Sequence, residues 1–268
     1  MAESIVKSLT LMDNIFMQRF FDRKPKLAEV ILRAVLGRPD LEIVMAQTEK
    51  TISSYQNRSV GFDVFCTDSN GDRFDVEFQD DVSKAPPERA QFYISMLTSE
   101  ALPKGADFCD LPCTTVVFIT NGDALGLGLP IYDSSWIVDQ TGKPLNERQR
   151  IIYVDATYNY GDTELGRVMH DVTCPDPDEM LNPVLAQAAR DLKETMKENE
   201  MEMQFYSRKI RDEAFSEGVE QGLEQGEEKG RATTIGKLVR DGALPLDKIS
   251  ELFGITPAQA KSYAKMAG

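Results

Sequence analysis

Histidine is nearly absent from this chain of 268 residues: His170 is the only one. That scarcity excludes most zinc sites and catalytic triads, which need an imidazole together with further ligands or a hydrogen-bonded partner. His170 is left as a local acid or base, or as an ordinary helix-surface side chain. Long apolar runs are missing too, so no membrane span is expected, and the N-terminal residues lack the basic and apolar regions of a secretory leader. A cytoplasmic protein is the expectation. The four cysteines, Cys66, Cys109, Cys113 and Cys174, do not have the spacing of a zinc site. They read as reduced, mostly structural thiols. Positive charge is scarce: 30 Lys and Arg stand against 44 Asp and Glu, a formal net charge of −14. Phosphate binding needs cations to displace counterions, which argues against an indiscriminate nucleic-acid binder. The deficit is uneven. From Arg231 to Gly268 six basic residues face three acids, so this tail carries +3 and the remainder −17.

What is present is a globular composition, 41% hydrophobic and 28% charged, in a chain long enough to bury a full core and carry appendages. Residues 1 to 190 alternate helical and strand patterns, which implies a mixed α/β (α+β) domain. Helical periodicity marks Leu27 to Leu36 and Glu88 to Leu102, the second entered through Pro86-Pro87. Thr114 to Thr120 and Ile151 to Val154 are short, β-branched and apolar, as buried strands are. Loops rich in Gly, Pro and Asp, between Gly122 and Pro130 and between Asp139 and Pro144, are expected to rim a site.

Val60 to Asp81 carries the densest chemical information. Val60 to Thr67 and Arg73 to Gln79 alternate as strands, joined through Asp68-Ser69-Asn70-Gly71-Asp72. A two-residue Asn-Gly turn would pair Asp63 with Phe78 and put Asp63 and Glu77 on opposite faces. A three-residue loop with Gly71 left-handed instead pairs Phe62 with Phe78, Val64 with Val76 and Cys66 with Phe74 on one apolar face. Asp63 then opposes Glu77 on the other face. Because a one-residue slip inverts every side chain, apolar matching and acid pairing select the same register. Opposed carboxylates repel by a few tenths to about 1 kcal/mol, and a divalent cation with oxygen ligands offsets that repulsion. A water-facing acidic surface on an ordinary hairpin accounts for the same pattern, and both readings stand at this point.

Asp63 followed by Glu77-Phe78-Gln79 resembles the D…(D/E)-x-K signature of the PD-(D/E)XK nuclease superfamily, in particular its recombination-promoting nuclease and transposase group. Asp13-Asn14-Ile15-Phe16 resembles that group's opening Asp-x-x-Phe, and Arg89-Ala90-Gln91-Phe92-Tyr93 its Arg-x-x-x-Tyr helix. Thr114 to Asn121 is similar to its next buried strand, and Asp162 to Asp171 to a late segment; the likeness runs from about residue 9 to residue 230. Two departures stand out: no Pro precedes Asp63, and Gln79 occupies the position of the signature Lys. The resemblance implies a restriction-endonuclease-like mixed central sheet flanked by helices. It also implies hydrolysis of DNA phosphodiester bonds in recombination or transposition, with Mg²⁺, or Mn²⁺ in its place, held by Asp63 and Glu77. Gln79 completes the catalytic set by orienting water or lending its backbone carbonyl. A stabilising cation then has to come from elsewhere, Arg89 or Lys84 being nearest in sequence, while Asp13 and Tyr93 are further supporting candidates. The acidity and the missing Lys favour a competing expectation: a catalytically weakened nuclease-like module that binds DNA or protein in a mobile-element or defence system.

From Asn182 onward the pattern is one long charged helix, with Leu185, Ala189, Leu192 and Met196 on one face. Within residues 191–232, Gly218, Gly222, Gly226 and Gly230 recur every fourth residue. Helical glycines cost about 1 kcal/mol each relative to alanine, yet on one face they permit close helix approach. Homo-oligomerisation in water and a frayed linker both fit. Residues 233–268 form a small tail in which Ile249 to Thr256 resembles the first helix and turn of a helix-turn-helix. That comparison puts Gln259, Lys261, Ser262 and Lys265 on or near a DNA-reading helix; a helical hairpin packed on a neighbour has the same periodicity.

Overall fold

A computed structural model describes residues 2–52, 59–199, 232–242 and 244–266, with isolated positions between 208 and 230. The chain divides into two compact units, Met1–Gln204 and Phe205–Gly268.

The first unit is built on strands β1 (Ile43–Ile52), β2 (Val60–Asp68), β3 (Arg73–Gln79), β4 (Thr114–Thr120), β5 (Ile131–Ser134) and β8 (Gln149–Asp155), with a short ribbon of β6 (Ile137–Val138) and β7 (Lys143–Pro144) beside them. The six lie in the order β1-β2-β3-β4-β8-β5, with β3, β4 and β8 mutually parallel and the other pairs antiparallel. All seven residues of β4 are buried, as a parallel strand covered on both faces requires. The helices of this unit are α1 (Ala2–Ser8), α2 (Asn14–Phe21), α3 (Pro25–Leu36), α4 (Pro87–Ala101), α5 (Glu164–Thr173) and α6 (Pro183–Glu198). The expected mixed sheet with flanking helices is therefore present.

Parallel neighbours need a crossover between them, and α4 is the crossover from β3 to β4. Pro87 in its first turn starts the helix, and Ala90, Ile94 and Leu97 bury against Phe65, Val116 and Phe118. On the opposite face α2 and α3 pack on β1 and β2, and Phe21 stacks on Phe78 with ring centroids 5.5 Å apart. The apolar face of α6 (Leu185, Ala189, Leu192 and Met196) is buried in this unit, so the boundary expected at residue 190 falls inside a continuous helix. Lys193, 4% exposed, donates to the carbonyls of Lys7, Leu9 and Pro175 at 3.0, 2.7 and 2.5 Å. This one side chain ties α6 to the N-terminal segment and to the loop after α5.

The hairpin closes as the three-residue loop. Val64 pairs with Val76 and Cys66 with Phe74, the Asp68 N–H reaches the Asp72 carbonyl at 3.1 Å, and Gly71 sits at φ +85°. The expected alternation breaks further along. Phe62 packs edge-on against Tyr93 and beside Phe65 under α4, with centroids 5.7 and 6.4 Å away, whereas Phe78 stacks on Phe21 across the sheet. Phe62 and Phe78 thus lie on opposite faces. The physical reason is an irregularity at Asp63: Thr48 pairs with Val64 and Lys50 with Phe62, but Glu49 between them adopts φ +54°. The second hairpin face does not meet water either, because α4 covers it; Phe65 is 2% exposed and Asp75 and Glu77 are 0% exposed.

In the second unit, helical residues 232–240 (α7), α8 (Leu246–Phe253) and α9 (Pro257–Met266) surround Ile235, Ile249 and Ala260. Gly254, at φ +62°, makes the turn from α8 towards α9. Of the glycine repeat, Gly226 and Gly230 are helical with open space where a Cβ would stand; Gly218 and Gly222 lie outside the described residues.

Candidate active site

Asp63 comes from β2, and Asp75, Glu77 and Gln79 alternate along β3 on the face beneath α4. At Asp63 the ladder between β2 and β3 opens, and side chains take over its hydrogen bonds. Glu77 Oε1 accepts the Asp63 N–H at 2.9 Å, and Asp63 Oδ2 accepts the Phe78 N–H at 3.0 Å. The two carboxylates are therefore fixed by backbone donors rather than left to repel in solvent.

Arg89, in the first turn of α4, completes the constellation. Its Nη2 donates to Glu77 Oε2 at 2.7 Å and to the Tyr93 hydroxyl at 3.0 Å, and its Nη1 to the Lys84 carbonyl at 2.7 Å and to Gln79 Oε1 at 3.2 Å. The Arg-x-x-x-Tyr spacing is one helical turn, which is why both side chains reach the same place. Arg89 also lies 4.9 Å from the Tyr93 ring centroid. Beside it opens a cleft of about 640 Å³ lined by Lys84, Arg89, Phe92 and Tyr93 among others.

Burial dominates the titration of these acids. It pushes the Asp63 carboxyl up to about 6, against the lowering effect of the Phe78 N–H and the Arg89 charge. Glu77 is raised well above the usual carboxylate range, first by burial and then by the Asp63 charge, with Arg89 pulling the other way. Asp75 is raised well above it too, by burial and by the charges of Glu77 and Asp63. Neither Asp75 oxygen has a hydrogen-bond partner among the described residues. The sequence reading passed over Asp75, although its position two residues before Glu77 on one strand placed it on the same face.

The donor set is carboxylate and amide oxygen, which suits a hard divalent cation, and the two Asp75 oxygens are buried polar atoms without a hydrogen-bond partner among the described residues. No group of three His, Cys, Asp or Glu side chains among the described residues stands in a metal-holding arrangement; one Glu77 oxygen is held by Arg89 instead. Asp13 is engaged elsewhere: its Oδ2 accepts from the Thr10 N–H at 2.7 Å and from the Thr10 hydroxyl at 3.1 Å. In the tail, Gln259 Oε1 accepts from the Thr256 N–H and hydroxyl at 2.8 and 2.9 Å, and the Ser262 hydroxyl donates to the Gln259 carbonyl at 2.9 Å. Gln259 is occupied in capping α9 and Ser262 in a bond back along the same helix, Lys261 is exposed, and the Lys265 side chain lies outside the described residues. The loop of Gly122 to Pro130 is organised by Asp123, whose carboxylate accepts from Gly126 and Gly128 N–H and from Tyr132 Oη at 2.9, 2.7 and 2.7 Å. His170 pairs with Asp171, Nδ1 to Oδ1 at 3.1 Å, and all four cysteines are free.

The family model described as PD-(D/E)XK nuclease family transposase matches residues 27–159. Within these residues the chain matches the PD-(D/E)XK nuclease group that its sequence resembles. The matched stretch runs from α3 to the end of β8 and holds Asp63, Glu77, Gln79, Lys84, Arg89 and Tyr93; Asp13 and the C-terminal unit lie outside it. The PD-(D/E)XK assignment agrees with the mixed six-stranded sheet and supports a nuclease- or transposase-related function. No curated protein and no solved structure matches the chain. No helix among the described residues is long and apolar enough to cross a membrane.

Proposed function

We propose that the protein is a metal-dependent DNA endonuclease acting in recombination or transposition, with Asp63, Glu77 and Gln79 as its catalytic set. The observation that carries this reading is the opened ladder, where the buried Glu77 and the half-buried Asp63 are held in fixed opposition by each other's strand. Such fixed geometry is what positioning a reacting phosphate and water requires.

Asp63 and Glu77 would hold Mg²⁺, or Mn²⁺ in its place, which would supply Lewis-acid chemistry: a more acidic water and positive charge to offset that of the reacting phosphate. Gln79 carries no charge, so its role is to orient water through its amide or to contribute its backbone carbonyl. Arg89 and Lys84 stand at the cleft and supply positive charge towards the scissile phosphate, and Tyr93 holds the Arg89 guanidinium in place. DNA reaches the site by local contacts of this kind, because the chain as a whole is acidic.

One observation favours a second reading, a nuclease-like binding module that no longer cuts. Both Glu77 oxygens are already engaged, one by Asp63 and one by Arg89. Cleavage of supercoiled, linear and branched DNA in Mg²⁺, compared with Glu77→Ala, separates the two: cutting by the parent and not by the variant supports the enzyme, and equal cutting or none by both removes it.

A further inference from the structure

The guanidinium of Arg89 stands where a cation is called for. Its Nη2 lies 2.7 Å from Glu77 Oε2, and a magnesium ion would need that same oxygen at about 2.1 Å. Although a carboxylate oxygen has a second lone pair, two positive charges on one sealed oxygen repel strongly in a buried setting. Arg89 is nevertheless not walled in: its side chain is 28% exposed while Glu77 is sealed. The two halves of the guanidinium also differ in what holds them. Nη1 is bound to the Lys84 carbonyl and to Gln79 Oε1 at the mouth of the cleft, whereas Nη2 reaches inward to Glu77 and Tyr93.

We propose that Arg89 is a latch: in the metal-free protein it holds Glu77, and it must release Oε2 before a divalent cation binds. The bonds of Nη1 act as the hinge and keep the released guanidinium at the cleft mouth, facing the space a phosphate would enter. The inference rests on the metal-dependent reading of the site and adds a rule to it. Metal entry and the repositioning of the positive charge are one event, so an empty site stays neutralised and a loaded one presents its arginine to substrate.

The test is metal binding itself, measured by titration calorimetry with Mg²⁺ and with Mn²⁺ on the full chain, together with the melting temperature with and without metal. Arg89→Met is expected to bind metal about tenfold more tightly than the parent protein, and to gain more thermal stability on metal addition, because the ion then compensates a carboxylate left alone. Tyr93→Phe removes one anchor of Nη2 and leaves every ligand in place, so its affinity rises about twofold to threefold; it carries the test if the methionine variant does not fold. Unchanged or weaker affinity in a folded variant overturns the latch while leaving the metal site standing. No binding by the parent protein or either variant at millimolar metal overturns the latch and the hydrolytic reading together.

Discussion

Asp63 and Glu77 bond across an opened strand pair through backbone rather than through each other: Glu77 Oε1 takes the Asp63 N–H at 2.9 Å, and Asp63 Oδ2 takes the Phe78 N–H at 3.0 Å. The same two side chains therefore serve the fold and the proposed chemistry. Substitutions that separate these roles are informative. Asp63→Asn and Glu77→Gln keep an oxygen acceptor, and in Mg²⁺ they should lower plasmid nicking by about a thousandfold or more, roughly 4 kcal/mol of transition-state stabilisation. Glu77→Ala should in addition lose about 3 kcal/mol of folding stability, since it strands Arg89 and a backbone N–H. Nicking by Glu77→Gln at the parent rate would remove Glu77 from the mechanism.

The acid cluster sets a pH dependence of the metal-free protein. Asp63 has a folded value near 6, above its unfolded 3.8, so its stabilising contribution is full below about 4 and is lost as pH rises through 6. That loss amounts to at most about 3 kcal/mol. Asp75 is raised too, by burial first and then by the charges of Glu77 and Asp63, so its contribution is likewise lost as pH rises. Urea denaturation from pH 4.5 to 8 should show Asp63→Asn flattening the profile near 6. Asp75→Asn should be more stabilising at pH 8 than at pH 5; the opposite trend would mean that Asp75 is charged and paired.

Gly71 holds the register by adopting φ +85° in the hairpin loop. A Cβ there meets open space, so Gly71→Ala isolates backbone strain from crowding. The expected cost is about 1–2 kcal/mol in equilibrium denaturation. A neutral result would show that the loop relaxes to another turn without disturbing the acids above it.

Lys193 gives its protons to three backbone carbonyls. Lys193→Met fills a similar volume and leaves those carbonyls without their donor. A loss of about 2–4 kcal/mol is expected, accompanied by faster amide exchange in α1 and in the segment before α2. Unchanged exchange at α1 would show that the N-terminal helix is held by apolar contacts alone.

Much of this was legible in the sequence. The periodicity of Leu27 to Leu36 announced α3, Pro86-Pro87 announced α4, the β-branched run announced β4, and apolar pairing across Gly71 selected the hairpin register because side chains alternate along a strand. The identity of the acidic pair followed from that register. Local pattern failed where two strands cease to pair: nothing in Phe62-Asp63-Val64 shows that Phe62 crosses to the other face, since the cause is the left-handed Glu49 on a neighbouring strand. Burial of the acid face was equally out of reach, because it depends on a crossover helix that begins eight residues beyond Gln79. The sequence by itself determined which acids stand on β2 and β3 and which cations lie nearby along the chain. Only the tertiary structure decided that α4 seals them from water, raises their affinity for protons and brings Arg89 onto Glu77, because charge pairing at this site is a matter of distance across elements and not of spacing within them.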